Sequence, residues 1–475
     1  ILDVCIRFAD HINRVFGSEP GRMHGYPGHQ EIEIGLVKLY KVTGNTKYLK
    51  LAKYFIDQRG KEPHYFKMER EKDSYQEIFS DPAVKAAAYS QSHLPPVQQR
   101  EAVGHAVRAL YMYSAMCDLA ELFHDTELEN ACYALYKNIT EKQMYITGAV
   151  GASPSGESFT GSYDLPNDTV YGESCAAVAL MMFSRRMAQL FGDGSYYDTI
   201  ERALFNQILA GISLTGTEFF YVNPLTVVPH RCQANPGLSH VKVTRQKWFD
   251  VACCPTNIAR TLMNIGEYAF SYSNDILFIN IPIAATIKNN FFNCTLQTGY
   301  PYSNKAILTA RGGAHTIALR SPSSAPLKML RLNGSKIEIH LDKGYVSIPH
   351  EGGLSTIEAE YELEPRYFAC HPDLSENAGK VAVMRGPLVY CAEQADNGNR
   401  LSALYLPKEA SFSECETFAG KKTIALKTKG YGLMYSNEEL YSRQMPVLIE
   451  RDILLIPYYL WANRERGEMR IFLNR

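Results

Sequence analysis

A helical half followed by an antiparallel β half is the fold class that these 475 residues predict. Up to about residue 272, apolar side chains recur at intervals of three and four, the spacing of one helix face. From about 275 they alternate with polar ones, the spacing of one sheet face. The length is the third observation: a chain this long outgrows one core and divides into domains. The division expected is a helical part over 1–272 and two β-sandwiches over 273–375 and 376–475.

The elements follow in order. Residues 2–16 are apolar at helical spacing and stop at Gly17. Residues 31–40 follow a Pro-Gly turn and stop near Gly44, and 46–58 end before Gly60. Residues 101–123 form the longest run, with apolar positions 103, 106, 107, 110, 111 and 115. Further helices are expected over 127–142, 173–191, 196–211 and 257–272, the last opening at Pro255-Thr256 because Pro is tolerated in a first helical turn. Long Gly-, Pro- and Ser-rich loops cover 84–100, 145–172 and 213–252, and long ordered loops in a compact domain usually carry function. In the second half, 277–281, 316–320, 336–340 and 355–361 alternate as strands, and 381–390 and 453–461 are longer apolar ones.

Composition excludes several classes. A net charge of -1 argues against nucleic acid or an anionic membrane as main partner. No apolar run is long enough to span a bilayer. Eleven Cys in a large chain read as thiols rather than a disulfide framework, which favours a cytoplasmic setting. The sequence has no phosphate-cradling glycine loop, GxSxG elbow, HExxH or dinucleotide fingerprint. It opens at Ile1 inside a helical pattern, so the N-terminus reads as incomplete.

Three constellations bear chemistry. Gly172-Glu-Ser-Cys175 and Ala252-Cys-Cys-Pro255 place one carboxyl and three thiols at helix starts, where free N–H groups and the helix dipole stabilise a thiolate. Those donors suit a tetrahedral metal. On spacing alone, buried helical cysteines or a purely structural zinc fit as well. Glu157 stands in a Gly/Ser loop, Gly151-Ala-Ser-Pro-Ser-Gly-Glu157, where burial would raise its pKa and make it a general acid. His29 and His105, with His24 and His93 nearby, stand at helix starts or in loops, placed for sugar hydroxyls or for ordinary half-buried packing.

Seven segments in order resemble glycoside hydrolase family 127, the β-L-arabinofuranosidases. They are His24-Gly-Tyr-Pro-Gly-His-Gln-Glu-Ile-Glu-Ile, Val103-Gly-His-Ala-Val-Arg, Thr147-Gly-Ala-Val-Gly, Leu165-Pro-Asn-Asp-Thr-Val-Tyr-Gly-Glu-Ser-Cys, Cys253-Cys-Pro-Thr-Asn, Arg385-Gly-Pro-Leu-Val-Tyr-Cys and Ile456-Pro-Tyr-Tyr-Leu-Trp-Ala-Asn-Arg. The resemblance implies an (α/α)6 barrel, incomplete at its N-terminus, followed by antiparallel β-sandwich domains. It implies Zn2+ held by Glu173, Cys175, Cys253 and Cys254, with Cys253 as nucleophile and Glu157 as acid/base. It implies His29, His105 and Tyr221 as sugar-binding residues, and an arabinofuranose-containing oligosaccharide or glycoconjugate as partner. A homodimer is compatible with it.

The implied activity is retaining, exo-acting removal of β-L-arabinofuranosyl residues. The alternatives are a related glycosidase on another furanose or deoxy-sugar, and a carbohydrate-binding relic with a structural zinc. A zinc-water hydrolase is disfavoured, because one Glu and three Cys close the coordination sphere.

Overall fold

The computed structural model describes residues 1–72, 85–290, 292–409, 411–418, 421–435 and 439–475. The chain divides into two compact units, one of residues 1–145, 149–165 and 170–192, the other of 146–148, 166–169 and 193–475.

The first unit is helical: α1 (Leu2–Val15), α2 (Ile32–Thr43), α3 (Thr46–Gln58), α4 (Tyr65–Lys72), α5 (Ala106–Phe123), α6 (Thr126–Asn138) and α7 (Ser174–Phe191). Each boundary has a local cause. Asn45 caps α3 by accepting the Lys47 N–H, and Gly60 follows at φ 74°. Asp125 caps α6 through the N–H groups of Glu127 and Leu128. α5 is buried nearly all round, the signature of a central helix, and packs on α2, α6 and α7. It begins at Ala106 and not at 101 as its periodicity suggests. Gly104 sits at φ 69°, where a Cβ would meet the Ala88 carbonyl oxygen at 1.9 Å, and His105 takes the capping position. α6 runs on into a π-helical turn over Ile139–Gln143, and α4 was not expected from the pattern.

The second unit opens with α8 (Tyr196–Arg202), which continues as a π-turn over Ala203–Ile208. Then come β1 (Thr226–Val227), α9 (Pro229–Ala234), α10 (Cys253–Met263) and α11 (Gly266–Ala269). α10 starts two residues earlier than Pro255 suggested; Pro255 still lies in the first turn, where no N–H is needed. Three antiparallel-rich sheets follow. The first is four-stranded, with 345–350, 315–320, 276–279 and 270–273 in spatial order. The second is six-stranded, with 285–288, 293–298, 305–312, 353–361, 327–332 and 335–336. Leu296, Leu308 and Ile357 of the second sheet and Ile317 and Leu319 of the first line one small apolar cavity, so these faces meet across a dry layer. The strand expected over 336–340 shrinks to Ser335–Lys336.

The third sheet has ten strands and includes β1, whose Thr226 pairs with Arg470. The single strand expected over 381–390 is two, Lys380–Arg385 and Leu388–Glu393. Gly386 at φ 53° and the donor-less Pro387 turn the chain between them. The strand expected over 453–461 starts earlier, at Val447, and gives way at Tyr458 to a 3-10 turn after Pro457. The loop at 213–252 is anchored to this C-terminal region. The Tyr458 hydroxyl donates to the Pro224 carbonyl at 2.9 Å and the Ile471 N–H to the Leu225 carbonyl at 3.0 Å. Arg245 donates to the Trp461 carbonyl at 2.7 Å, and Trp461 stacks on Phe220 at 4.5 Å. Among the described residues, no helix is long and apolar enough to cross a membrane.

Candidate active site

In the first unit the chemistry gathers around Glu157. The loop that carries it is closed by mutual hydrogen bonds between Ser153 and Ser158, each at 3.0 Å, and the Phe159 N–H reaches the Gly104 carbonyl at 2.9 Å. Gly156 and Glu157 both take left-handed backbone angles, φ 63° and 51°. The latter is uncommon for a residue with a Cβ and marks a position whose side-chain direction outweighs backbone comfort.

His105 caps α5. Its Nδ1 accepts the Arg108 N–H at 3.4 Å, which leaves the ring proton on Nε2, 3.2 Å from the Glu157 carboxylate. Glu173, nearly fully buried, stands at the N-terminus of α7. One polar atom each of His105, Glu157 and Glu173 lies within 4.8 Å of the others.

The electrostatics correct the expectation of a raised carboxyl. Burial, the largest influence, does push Glu157 up. The hydrogen bond from His105, with hydrogen bonds to Tyr171 and Glu173, outweighs it and holds the group below the ordinary glutamate value. Before substrate arrives, His105 therefore stabilises the carboxylate form.

His29 is exposed, with its ring 6.3 Å from that of His105 and 5.9 Å from Tyr111. Tyr89 meets His105 edge-on at 5.6 Å, beneath the Arg108 guanidinium at 4.7 Å. Tyr89, Tyr111 and Tyr171 were not singled out from the sequence. Tyr171, two residues before Glu173, was legible by proximity, whereas Tyr89 and Tyr111 had no local signal. His24 is exposed and His93 is half-buried with its pKa lowered by burial; neither belongs to a metal-capable group among the described residues.

In the second unit, Cys253 and Cys254 are the first two residues of α10, with sulfurs 3.8 Å apart and neither in a disulfide. They differ sharply in access: Cys253 is exposed and Cys254 fully buried. The Cys253 thiol donates to the Tyr221 hydroxyl at 3.4 Å, and the Tyr221 ring leans on Phe249 at 5.8 Å.

Glu173 and Cys175 of the first unit, and Cys253 and Cys254 of the second, each supply donors suited to a metal ion. Three sulfur donors and one carboxylate fit a borderline-soft divalent ion and would poorly suit calcium or magnesium, which take oxygen ligands.

Comparison with known proteins agrees. A profile of the GH127 β-L-arabinofuranosidase catalytic domain matches residues 1–267, and one of the glycoside hydrolase family 127 C-terminal domain matches 365–474. A non-reducing end β-L-arabinofuranosidase of Bifidobacterium longum subsp. longum is 35% identical over 500 residues, covering 100% of this chain and 75% of that protein. The crystal structure of Ara127N-Se, a GH127 β-L-arabinofuranosidase from Geobacillus stearothermophilus T6, is similar at a TM-score of 0.94 and 42% identity, over 100% of this chain and 76% of that one. The GH127 β-arabinofuranosidase BT3674 is similar at a TM-score of 0.86 and 33% identity, over 100% of this chain and 73% of that one.

Proposed function

The chain belongs to glycoside hydrolase family 127 and is a glycoside hydrolase, and from that premise we propose that it removes non-reducing terminal β-L-arabinofuranosyl residues with retention of configuration. The contrast between the paired thiols carries the reading: the exposed Cys253 is the nucleophile and the buried Cys254 a metal ligand. The proposed ligands are Glu173, Cys175, Cys253 and Cys254, and the proposed ion Zn2+. When bound, zinc supplies the charge that keeps the thiols deprotonated at neutral pH.

The remaining steps belong to the chain's own residues. Glu157 in its acid form protonates the departing glycosidic oxygen while the Cys253 sulfur bonds to the anomeric carbon. The resulting carboxylate then takes a proton from water, whose oxygen displaces the sulfur from the same carbon. Two inversions give retention. His105 holds Glu157 between these roles, and His29, His105 and Tyr221 bind sugar hydroxyls. In this reading residues 1–272 are an (α/α)6 barrel, and 273–375 and 376–475 are β-sandwiches. A thiolate nucleophile suits a reducing cytoplasm.

The test is release of nitrophenol from 4-nitrophenyl β-L-arabinofuranoside, with and without a zinc chelator, and proton NMR of the first-formed anomer. Chelator-sensitive turnover yielding the β anomer first is expected. The α anomer first would refute retention. Turnover of another furanoside only would move the substrate assignment, and none on any furanoside would favour a binding relic.

A further inference from the structure

His29 lies in irregular backbone, while His105 caps α5 and bridges to Ser158, so no shared helix or ladder fixes the separation of the two. Buried side chains do so instead. Arg59 directly follows α3 and is wholly buried. Its Nη2 donates to the Pro27 carbonyl at 2.6 Å, two residues before His29. Its Nη1 donates to the Ser90 carbonyl at 2.8 Å, and Gln30 Nε2 reaches that same carbonyl at 2.8 Å. The next residue, Gln91, passes the tie onward: its amide donates to the Val103 carbonyl at 2.8 Å and the His105 carbonyl at 3.3 Å. Three strips of irregular chain are thus laced together through one guanidinium and one carboxamide.

The lacing is expensive. The guanidinium lies over Tyr26 at 4.5 Å, and the Glu33 carboxylate is 4.0 Å away, too far for a hydrogen bond. Among the described residues, neither Glu33 oxygen nor Arg59 Nε has a hydrogen-bond partner. A buried ion pair this loosely made returns little stability for its desolvation, and apolar side chains of equal volume would pack at least as well. A planar fork, however, can hold two diverging carbonyls at a set angle, which apolar side chains and a point-like ammonium cannot do equally.

We propose that Arg59 is a positioning residue for substrate binding, setting His29 against His105 through the Pro27 and Ser90 carbonyls. This rests on the reading that the two histidines bind the sugar. It acts mainly on binding, touching Glu157 only through His105.

The experiment compares the parent with Arg59→Met/Glu33→Gln, which leaves no unpaired buried charge, with Arg59→Lys, and with Gln91→Met. For each, kcat and KM are measured on the nitrophenyl furanoside, folding by circular dichroism, and hydrogen exchange in peptides 25–31 and 88–92. The double variant is expected to fold, to raise KM tenfold or more with kcat within about threefold, and to exchange faster in both peptides. Arg59→Lys should recover part of the KM. Should the double variant not fold, Gln91→Met carries the same KM expectation. Folded variants with parental KM and parental exchange overturn the proposal. If the parent itself turns over no furanoside, the functional reading has failed, and the exchange rates alone decide whether Arg59 holds these segments.

Discussion

Glu33→Gln should make the protein more stable above about pH 7 and leave it unchanged below about pH 4. Glu33 is wholly buried on α2, and burial pushes its carboxyl from 4.5 up to about 7, against the weaker opposing pull of Arg59. A carboxyl whose folded value exceeds its unfolded one binds its proton more tightly in the folded state. Folding then weakens as pH rises through the window from about 4.5 to 7 and levels off above it. A gap of about 2.5 pH units at ~1.36 kcal/mol each gives a loss on the order of 3 kcal/mol. Gln is an uncharged stand-in for the protonated form, so the variant should lack this loss. Glu201, also buried and pushed up to about 7 beside Arg320, adds a parallel slope in the parent, which the difference between the two proteins removes. The assay is scanning calorimetry of both proteins at half-unit steps from about pH 3.5 to 8.5. Melting temperatures that coincide below about pH 4 and diverge upward for the variant through the window from about 4.5 to 7 are expected. Parallel curves across that range would refute a neutral buried carboxyl.

Three further outcomes follow from the site. Cys253→Ser should keep its fold and lose turnover by several orders of magnitude, whereas Cys254→Ser should cost bound metal first, read by elemental analysis beside the rate; near-parental rates in Cys253→Ser would remove that sulfur from the mechanism. Glu157→Gln should cut kcat/KM ~10²–10⁴-fold on an alkyl furanoside and much less on the nitrophenyl one, whose leaving group needs no proton; equal losses on both would contradict the acid role. Gly104→Ala should destabilise by about 1–3 kcal/mol and lower kcat/KM, because the added Cβ meets the Ala88 carbonyl oxygen at 1.9 Å beside His105, in a left-handed conformation; an unaltered melting temperature would count against that close approach.

The sequence was most legible where one physical rule acts alone. Periodicity and flanking glycines placed α3 to the residue, because its apolar face, its Asn45 cap and Gly60 agree. It failed where rules compete. The 3.6 pattern carried α5 back to 101, across a glycine and a histidine whose tertiary contacts end the helix. The π-turns at Ile139–Gln143 and Ala203–Ile208 each slip the helical register and leave no residue signature. Of the site, the motif-bearing residues could be named because each occupies a helix start or a distinctive loop. Arg59 and Gln91 could not, since their targets are backbone carbonyls, which one residue type presents as well as another. The acidity of Glu157 was misjudged, because burial can be guessed from a loop motif and a histidine 52 positions away cannot.

The anchoring of the 213–252 loop to the C-terminal sheet bears on how the protein is made. Tyr221, the hydroxyl beside Cys253, lies in a stretch whose neighbours are held by Tyr458, Trp461, Arg470 and Ile471. On the ribosome, those partners emerge more than 200 residues after the loop itself. Until then the aromatic wall next to the reactive thiol has nothing to rest on, and α10 presents its paired sulfurs without a finished surround. Between the synthesis of Cys254 and that of Tyr458, a nascent chain thus carries paired thiols open to stray oxidation or metal capture. The wall beside Tyr221 is finished only once Tyr458, Trp461 and Ile471 have been delivered.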